Sequence, residues 1–242
     1  MIQKRLLVLG SLFFAVLFTQ AQTTIQDTLL YRELVRREKV DQYAAVHAQA
    51  PESDKHLTQE EWDAKKDSIF RDNKVFLERI LNQQGFPGYD KIGKSGSGLF
   101  WLLAQHADFD PVFQQRVLDS MKVQVDRNNA NPRNYAYLTD RVLINTGEKQ
   151  VYGTQTDFHV ILGKTYSKPT IDPANLNQRR ASMNLEPIED YLADSTASHM
   201  EHNSTIIKGI TDVTVILSGL ILIVLSAFYG IFRFIRKRRR KA

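Results

Sequence analysis

The sequence predicts an α+β domain, mainly α-helical with a small antiparallel β-meander, followed by one C-terminal transmembrane helix. Three observations carry this. Through most of the middle of the chain apolar residues recur at helical spacing behind cap signals, and a short region around residue 160 is β-branched and aromatic instead. The run Val213 to Phe232 holds no charged residue over 20 positions.

The elements follow in order. Met1 to Ala21 has the parts of a secretory signal peptide: Lys4 and Arg5, the apolar run Leu6 to Phe18, then Thr19-Gln20-Ala21 as a cleavage site, so a mature start at Gln22 is expected. Residues 22–57 form an N-terminal helical segment in which Thr24 to Ala50 reads as one helix, stopped by Pro51. A globular domain is expected over 58–192. Its first helix starts at Thr58 with Glu61 completing a capping box and runs to about Gln84 before Gly85.

The glycine-rich stretch up to Gly98 then reads as a flexible linker, and Leu99 to His106 as a short, buried apolar helix. Asp110-Pro111 and Asn131-Pro132 each set a cap before a proline, opening helices to about Val125 and Thr146. Lys149 to Gln155, Phe158 to Leu162 and Thr165 to Pro169 are the three strands of the meander. Asp172-Pro173 opens a helix to about Asn184, Glu186 to Leu192 adds a short one, and 193–212 reads as a polar stalk.

The stretch 213–232 is long enough to span a bilayer, since about 20 residues cross a core of about 30 Å, and Tyr229 and Phe232 fall near one interface. A basic tail, 233–242, follows, with Arg236-Lys237-Arg238-Arg239-Arg240-Lys241 at its centre. The positive-inside rule puts this tail in the cytoplasm and the domain outside it, in the periplasm or the extracellular space, as a single-pass protein of the cell membrane. The tail also attracts anionic lipid headgroups.

Charge has to be read by compartment. The formal net charge is +5, but the leader and tail hold nine of the 32 Lys+Arg and none of the 27 Asp+Glu, which leaves residues 22–212 at −4. A mildly acidic domain with no basic stripe excludes nucleic acid as the expected partner. The chain has no cysteine, which removes disulfides, thiol nucleophiles and cysteine-held clusters. No cofactor and no metal is expected. His199, Glu201 and His202 have a spacing that could take a metal, but in a polar segment they read as solvated side chains.

Gly88-Tyr89-Asp90-Lys91-Ile92-Gly93-Lys94-Ser95 fits the phosphate-loop pattern GxxxxGK[ST]. That loop needs a strand before it and an uninterrupted helix after it, and the sequence offers an amphipathic helix before it and Gly96 and Gly98 after it, so nucleotide binding is not expected. Gln105-His106-Ala107-Asp108 puts an imidazole and a carboxylate where a buried helix meets a turn, as acid–base chemistry requires and as a helix-end core histidine would also do.

Several runs together resemble a bacterial family of domains of unknown function, DUF6624. They are Gly85-Phe86-Pro87-Gly88, Trp101 to Asp108, Asp110-Pro111 with Phe113-Gln114, Tyr137-Leu138 with Asp140-Arg141-Val142, Tyr152-Gly153-Thr154-Gln155, Asn177 to Ala181 and Leu185-Glu186-Pro187. The resemblance covers roughly 60–192. It implies a domain boundary but no reaction. It also implies that His106, Gln114, Asp140, Arg141, Tyr152 and Gln155 belong together, as one buried polar network or as one pocket. The expected function is a membrane-anchored exported domain that binds a small polar ligand or a partner protein. The alternative is a hydrolase-like enzyme with His106 and Asp108 or Asp140 as candidate catalytic residues, and with Arg141 as anion clamp beside Gln114, Tyr152 and Gln155.

Overall fold

A computed structural model describes residues 27–202 and Ser204. The expected signal peptide, membrane span and basic tail lie outside the described residues, and among those residues no helix is long and apolar enough to cross a membrane. Seven α-helices and one two-stranded antiparallel sheet are present among them: α1 (Thr28–Ala45), α2 (Gln59–Gln84), α3 (Tyr89–Gln105), α4 (Pro111–Asp126), α5 (Pro132–Asn145), β1 (Thr156–His159), β2 (Lys164–Ser167), α6 (Leu176–Ser182) and α7 (Ile188–His202).

Side-chain caps set most helix starts. The Asp27 carboxylate accepts from Leu30 N at 2.8 Å, Thr58 and Glu61 form a capping box, Asp110 accepts from Phe113 N at 2.9 Å, and Asn131 accepts from Arg133 N at 2.9 Å. Helix α1 is shorter than its apolar pattern suggested and stops at Ala45, with a 3₁₀ turn at Glu52–Asp54 between it and α2. Its buried residues are Leu30, Leu34, Asp41 and Ala44, so one carboxylate lies on the apolar stripe.

The expected glycine linker is helical. Helix α3 starts at Tyr89 and crosses Gly93, whose φ of 70° and ψ of 172° put a kink in it. Glycine costs about 1 kcal/mol relative to alanine inside a helix, a local preference that packing overrides here. Ile92, Gly96, Phe100 and Leu103 are spaced four, four and three apart on one buried face. A Cβ on Gly88 would come within 2.1 Å of Asn129 Nδ2, and that close approach lets Asn129 hold the start of α3, with Tyr89 N donating to Asn129 O at 2.8 Å and Asp90 N to Asn129 Oδ1 at 3.0 Å. Gly88 and Gly96, where a Cβ would come within 2.1 Å of Asn129 and 2.9 Å of Ile92, therefore serve close packing, and Gly93 serves the kink.

Helix α3 is the centre of the domain and touches α1, α2, α4 and α5. Leu34, Leu77, Phe86, Phe100, Phe113, Val117, Met121 and Leu138 meet in the main core, where the Phe86 and Phe100 rings pack edge to face at 5.3 Å.

Beyond α5 the chain departs from the expected meander. Among the described residues only β1 and β2 pair as strands, in the register Thr156↔Ser167 to His159↔Lys164. Lys149 to Gln155 is not a strand, apart from an isolated bridge between Gln150 and Thr170. The reason is local: its N–H groups donate to the buried Asp140 carboxylate, from Val151 at 2.7 Å, Tyr152 at 3.0 Å and Thr154 at 2.9 Å, so they are not free to form a ladder.

The helix expected from Pro173 begins as a 3₁₀ turn, Pro173–Asn175, because Asp172 is left-handed (φ 37°) and gives no side-chain cap; the α-helix proper is Leu176–Ser182. The expected stalk is corrected up to residue 202. Helix α7 continues through it and packs on β2, with Thr165 N donating to Thr196 Oγ1 at 3.0 Å and the Phe158 ring stacked on His199 at 4.9 Å.

Candidate functional site

The polar residues singled out in the sequence fall into separate environments. Asp140 is fully buried on α5 and accepts the three backbone N–H groups above together with Thr154 Oγ1 at 2.9 Å. Tyr152 lies beside it, and its hydroxyl is pushed up to about 12, first by burial and then by the nearby Tyr135 and Asp140.

Arg180, also fully buried, braces the same segment. Its Nη1 donates to Tyr152 O at 2.7 Å, its Nε donates to Glu186 O at 2.7 Å, and its guanidinium lies 4.9 Å from the centre of the Tyr191 ring. Its Nη2 stands 3.9 Å from Glu186 Oε1, an ion pair too long for a hydrogen bond, and makes none. Gln155 is held by Gln150, whose Oε1 accepts Gln155 N at 2.9 Å. This half of the set is internal scaffolding.

The other half opens on a pocket. A cavity of about 290 Å³ is lined by Ala44 and Ala45 at the end of α1, Lys66 and Phe70 of α2, His106 at the end of α3, Asp108 in the following turn and Arg141 of α5. Asp140 and Arg141 are neighbours in sequence on one helix, so they face different ways, and Arg141 pairs with Asp108. Arg141 Nε donates to Asp108 Oδ1 at 2.7 Å and Nη2 to Oδ2 at 2.5 Å, a bidentate pair. Asn145 Nδ2 adds a third donor at 2.8 Å and Gln114 Nε2 a longer one at 3.3 Å. Burial alone would raise the Asp108 carboxyl, but the Arg141 bonds and charge, with Gln114 and Asn145, outweigh it and hold the group below the usual carboxylate range.

Gln114 is fully buried and mainly structural, since its Nε2 also caps Ala104 O and Gln105 O at 3.1 Å each and so closes the end of α3.

His106 is oriented from behind. Its Nδ1 lies 2.6 Å from Oδ2 of Asp41, the fully buried carboxylate on the α1 stripe, and its ring rests against Phe70 at 5.2 Å between centroids. Asn73 Nδ2 donates to Asp41 Oδ1 at 3.0 Å and Gln42 Nε2 to Oδ2 at 3.2 Å, while Arg37 Nη1 donates to Asn73 Oδ1 at 3.0 Å. Donors converge on both oxygens of Asp41, so the carboxylate acts as an acceptor and Nδ1 carries the proton. Nε2 is then the basic nitrogen, it has no hydrogen-bond partner among the described residues, and the ring borders the cavity.

Sequence reasoning missed Asp41, Asn73 and Lys66. For Asp41 a signal was present, a lone carboxylate in register with Leu30, Leu34 and Ala44 on the apolar face of α1.

A family model described as a family of unknown function, DUF6624, matches residues 28–198. The chain belongs to this family. The match begins at the first helix, so the DUF6624 domain includes α1 and Asp41, which lie ahead of the stretch of about 60–192 that carries the sequence resemblance. No curated protein and no solved structure matches the chain.

The phosphate-loop pattern belongs to the start of α3 and is preceded by helix α2 rather than by a strand. Lys94 is exposed, with Nζ 5.8 Å from the Tyr89 ring centre. Among the described residues no group of three or more metal-ligating side chains comes together.

Proposed function

We propose that this DUF6624 protein is an exported domain, tethered to the membrane through residues 213–232, that binds a small polar ligand bearing an anionic group in the His106 pocket and exchanges a proton with it. The observation that carries the reading is the 2.6 Å contact between His106 Nδ1 and the buried Asp41, which leaves Nε2 basic at the edge of an open cavity. A histidine fixed by a carboxylate in one tautomer is the arrangement that general acid–base transfer uses, because the carboxylate also stabilises the imidazolium that forms.

Arg141 and Lys66 supply positive charge on the same walls. Arg141 spends Nε and Nη2 on Asp108 and keeps Nη1 without a partner among the described residues, and Lys66 is paired with Asp63 at 2.8 Å. Such a site favours a ligand with one negative group rather than a polyanion. None of the lining side chains carries a hydroxyl or thiol nucleophile, so a hydrolytic step here uses water activated by His106. The sequence signals at residues 1–21 and 213–242 support export and tethering.

The test is native mass spectrometry of the full chain purified in detergent, alongside His106→Gln and Arg141→Ala. A small anionic molecule that accompanies the wild type and is lost from both variants is expected. A wild type that carries no small molecule, or variants that carry the same one, would contradict the reading.

A further inference from the structure

We infer that the β-hairpin tip Val160-Ile161-Leu162 docks into the interfacial layer of a lipid bilayer. The inference rests on the tethering proposed above and adds a second, non-spanning contact between the domain and the membrane. Val160, Ile161 and Leu162 are 38, 78 and 63 % exposed, and they are the one run of three consecutive exposed large hydrophobics among the described residues. Single exposed apolar residues are ordinary, but a contiguous tip marks a contact.

Its place in the fold identifies the partner. Strand β2 runs back along α7. At the first turn of α7, the Ile188 side chain and Ser167 both approach Gly153, whereas Thr165 N bonds Thr196 Oγ1 and the tip glycine, Gly163, meets Met200 with 3.1 Å from its Cβ position to Sδ. The turn therefore sits at the C-terminal end of α7, where the described chain leaves toward the expected span. Only ten residues separate His202 from Val213, so the C-terminal end of α7, which the tip adjoins, can stand no more than about 40 Å of extended chain from the start of the apolar segment.

The chemistry of the tip fits a headgroup layer. In the β1–β2 register His159 faces Lys164 and Asp157 faces Tyr166 on the outer side, while Phe158 and Thr165 face α7. Lys164 Nζ lies 5.5 Å from the Tyr166 ring centre, and both are side chains whose apolar body can lie in the interface with a polar end in water. Two backbone donors of the turn are satisfied internally, Gly163 N by Val160 O and Leu162 N by His159 Nδ1, each at 3.3 Å, which lowers the cost of leaving water for those groups.

The chain has no cysteine, so a single introduced one can carry an environment-sensitive fluorophore without background. Ile161→Cys is labelled in the full chain, reconstituted in phosphatidylcholine–phosphatidylglycerol vesicles with and without lipids carrying a quencher at the top of the acyl chain. Val75→Cys and Val112→Cys, exposed at 55 and 71 %, serve as controls. The expected result is a blue-shifted Ile161 label that loses most of its emission to the quencher lipid, with both controls unshifted and unquenched. A chain that floats with the vesicles while the Ile161 label stays water-like overturns the docking and leaves the tether standing. A chain that does not float overturns both. A shielded label that lipid does not quench, with unlabelled Ile161→Cys forming disulfide-linked dimers under a mild oxidant, assigns the tip to a second copy of the chain and overturns the inference.

Discussion

Asp41 Oδ2 and His106 Nδ1 meet at 2.6 Å across 65 positions of sequence, joining the apolar face of α1 to the end of α3. The pairing explains why a carboxylate is tolerated at zero exposure: it accepts from Asn73, Gln42 and His106 together, so burial strands no acceptor. It also makes α1 part of the site rather than a segment ahead of it.

Asp140 has the opposite role, and its removal should be costly. Asp140→Ala leaves the N–H groups of Val151, Tyr152 and Thr154 without their acceptor. At about 1 to 3 kcal/mol for each unsatisfied buried group, the expected loss is at least about 3 kcal/mol, against a total of about 5 to 15. Urea denaturation reads it. A midpoint within error of the wild type would show that the 149–155 loop does not depend on this carboxylate.

Arg141→Ala should cost far less. Its ion pair with Asp108 is partly exposed, at 29 and 43 % for the two side chains, and such pairs contribute about 0.2 to 1 kcal/mol. The sign with pH follows from the depressed Asp108 carboxyl. Its contribution is present above the ordinary carboxylate pKa of about 3.9 and is lost as pH falls through the lower folded value. The gap in stability between wild type and variant is therefore expected to be widest at neutral pH and to shrink in acid. A gap that widens on acidification would contradict the assignment.

Within α3, Gly93 and Lys94 are adjacent and should behave differently. At φ 70° and ψ 172° Gly93 occupies backbone space that is essentially closed to other residues, so Gly93→Ala should cost about 1 to 3 kcal/mol. Lys94 is exposed, and Lys94→Ala should change stability by no more than about 0.5 kcal/mol. Thermal melts of the two variants compare them directly. Nucleotide binding that disappears in Lys94→Ala would reinstate the phosphate loop.

What the sequence made legible was local. Asp110-Pro111, Asn131-Pro132 and the Thr58–Glu61 box are caps whose partners lie within a few residues, and each opens a helix where its chemistry says. What it hid depended on distant partners. Gly93, Gly96 and Gly98 read as a linker because the side chains that reward a close-packed α3 come from four other helices. Residues 149–155 read as a strand because the competing acceptor, Asp140, lies 11 to 14 positions away. In the site, His106, Asp108 and Arg141 were recognisable as chemistry-bearing residues, and Asp41 stood out as a carboxylate on an apolar stripe, but its pairing with His106, 65 positions away, was not legible.

The most direct test of the account is a long-range proton–nitrogen spectrum of the full chain labelled with ¹⁵N-histidine, with His106 assigned by comparison with His106→Gln and with Asp41→Asn as the reference. Neutral His106 is expected to carry its proton on Nδ1 and a free lone pair on Nε2, and Asp41→Asn, whose amide can donate to Nδ1, is expected to reverse the tautomer. A wild-type His106 with the proton on Nε2, or one indifferent to Asp41→Asn, would contradict the claim that Asp41 prepares this histidine for proton transfer.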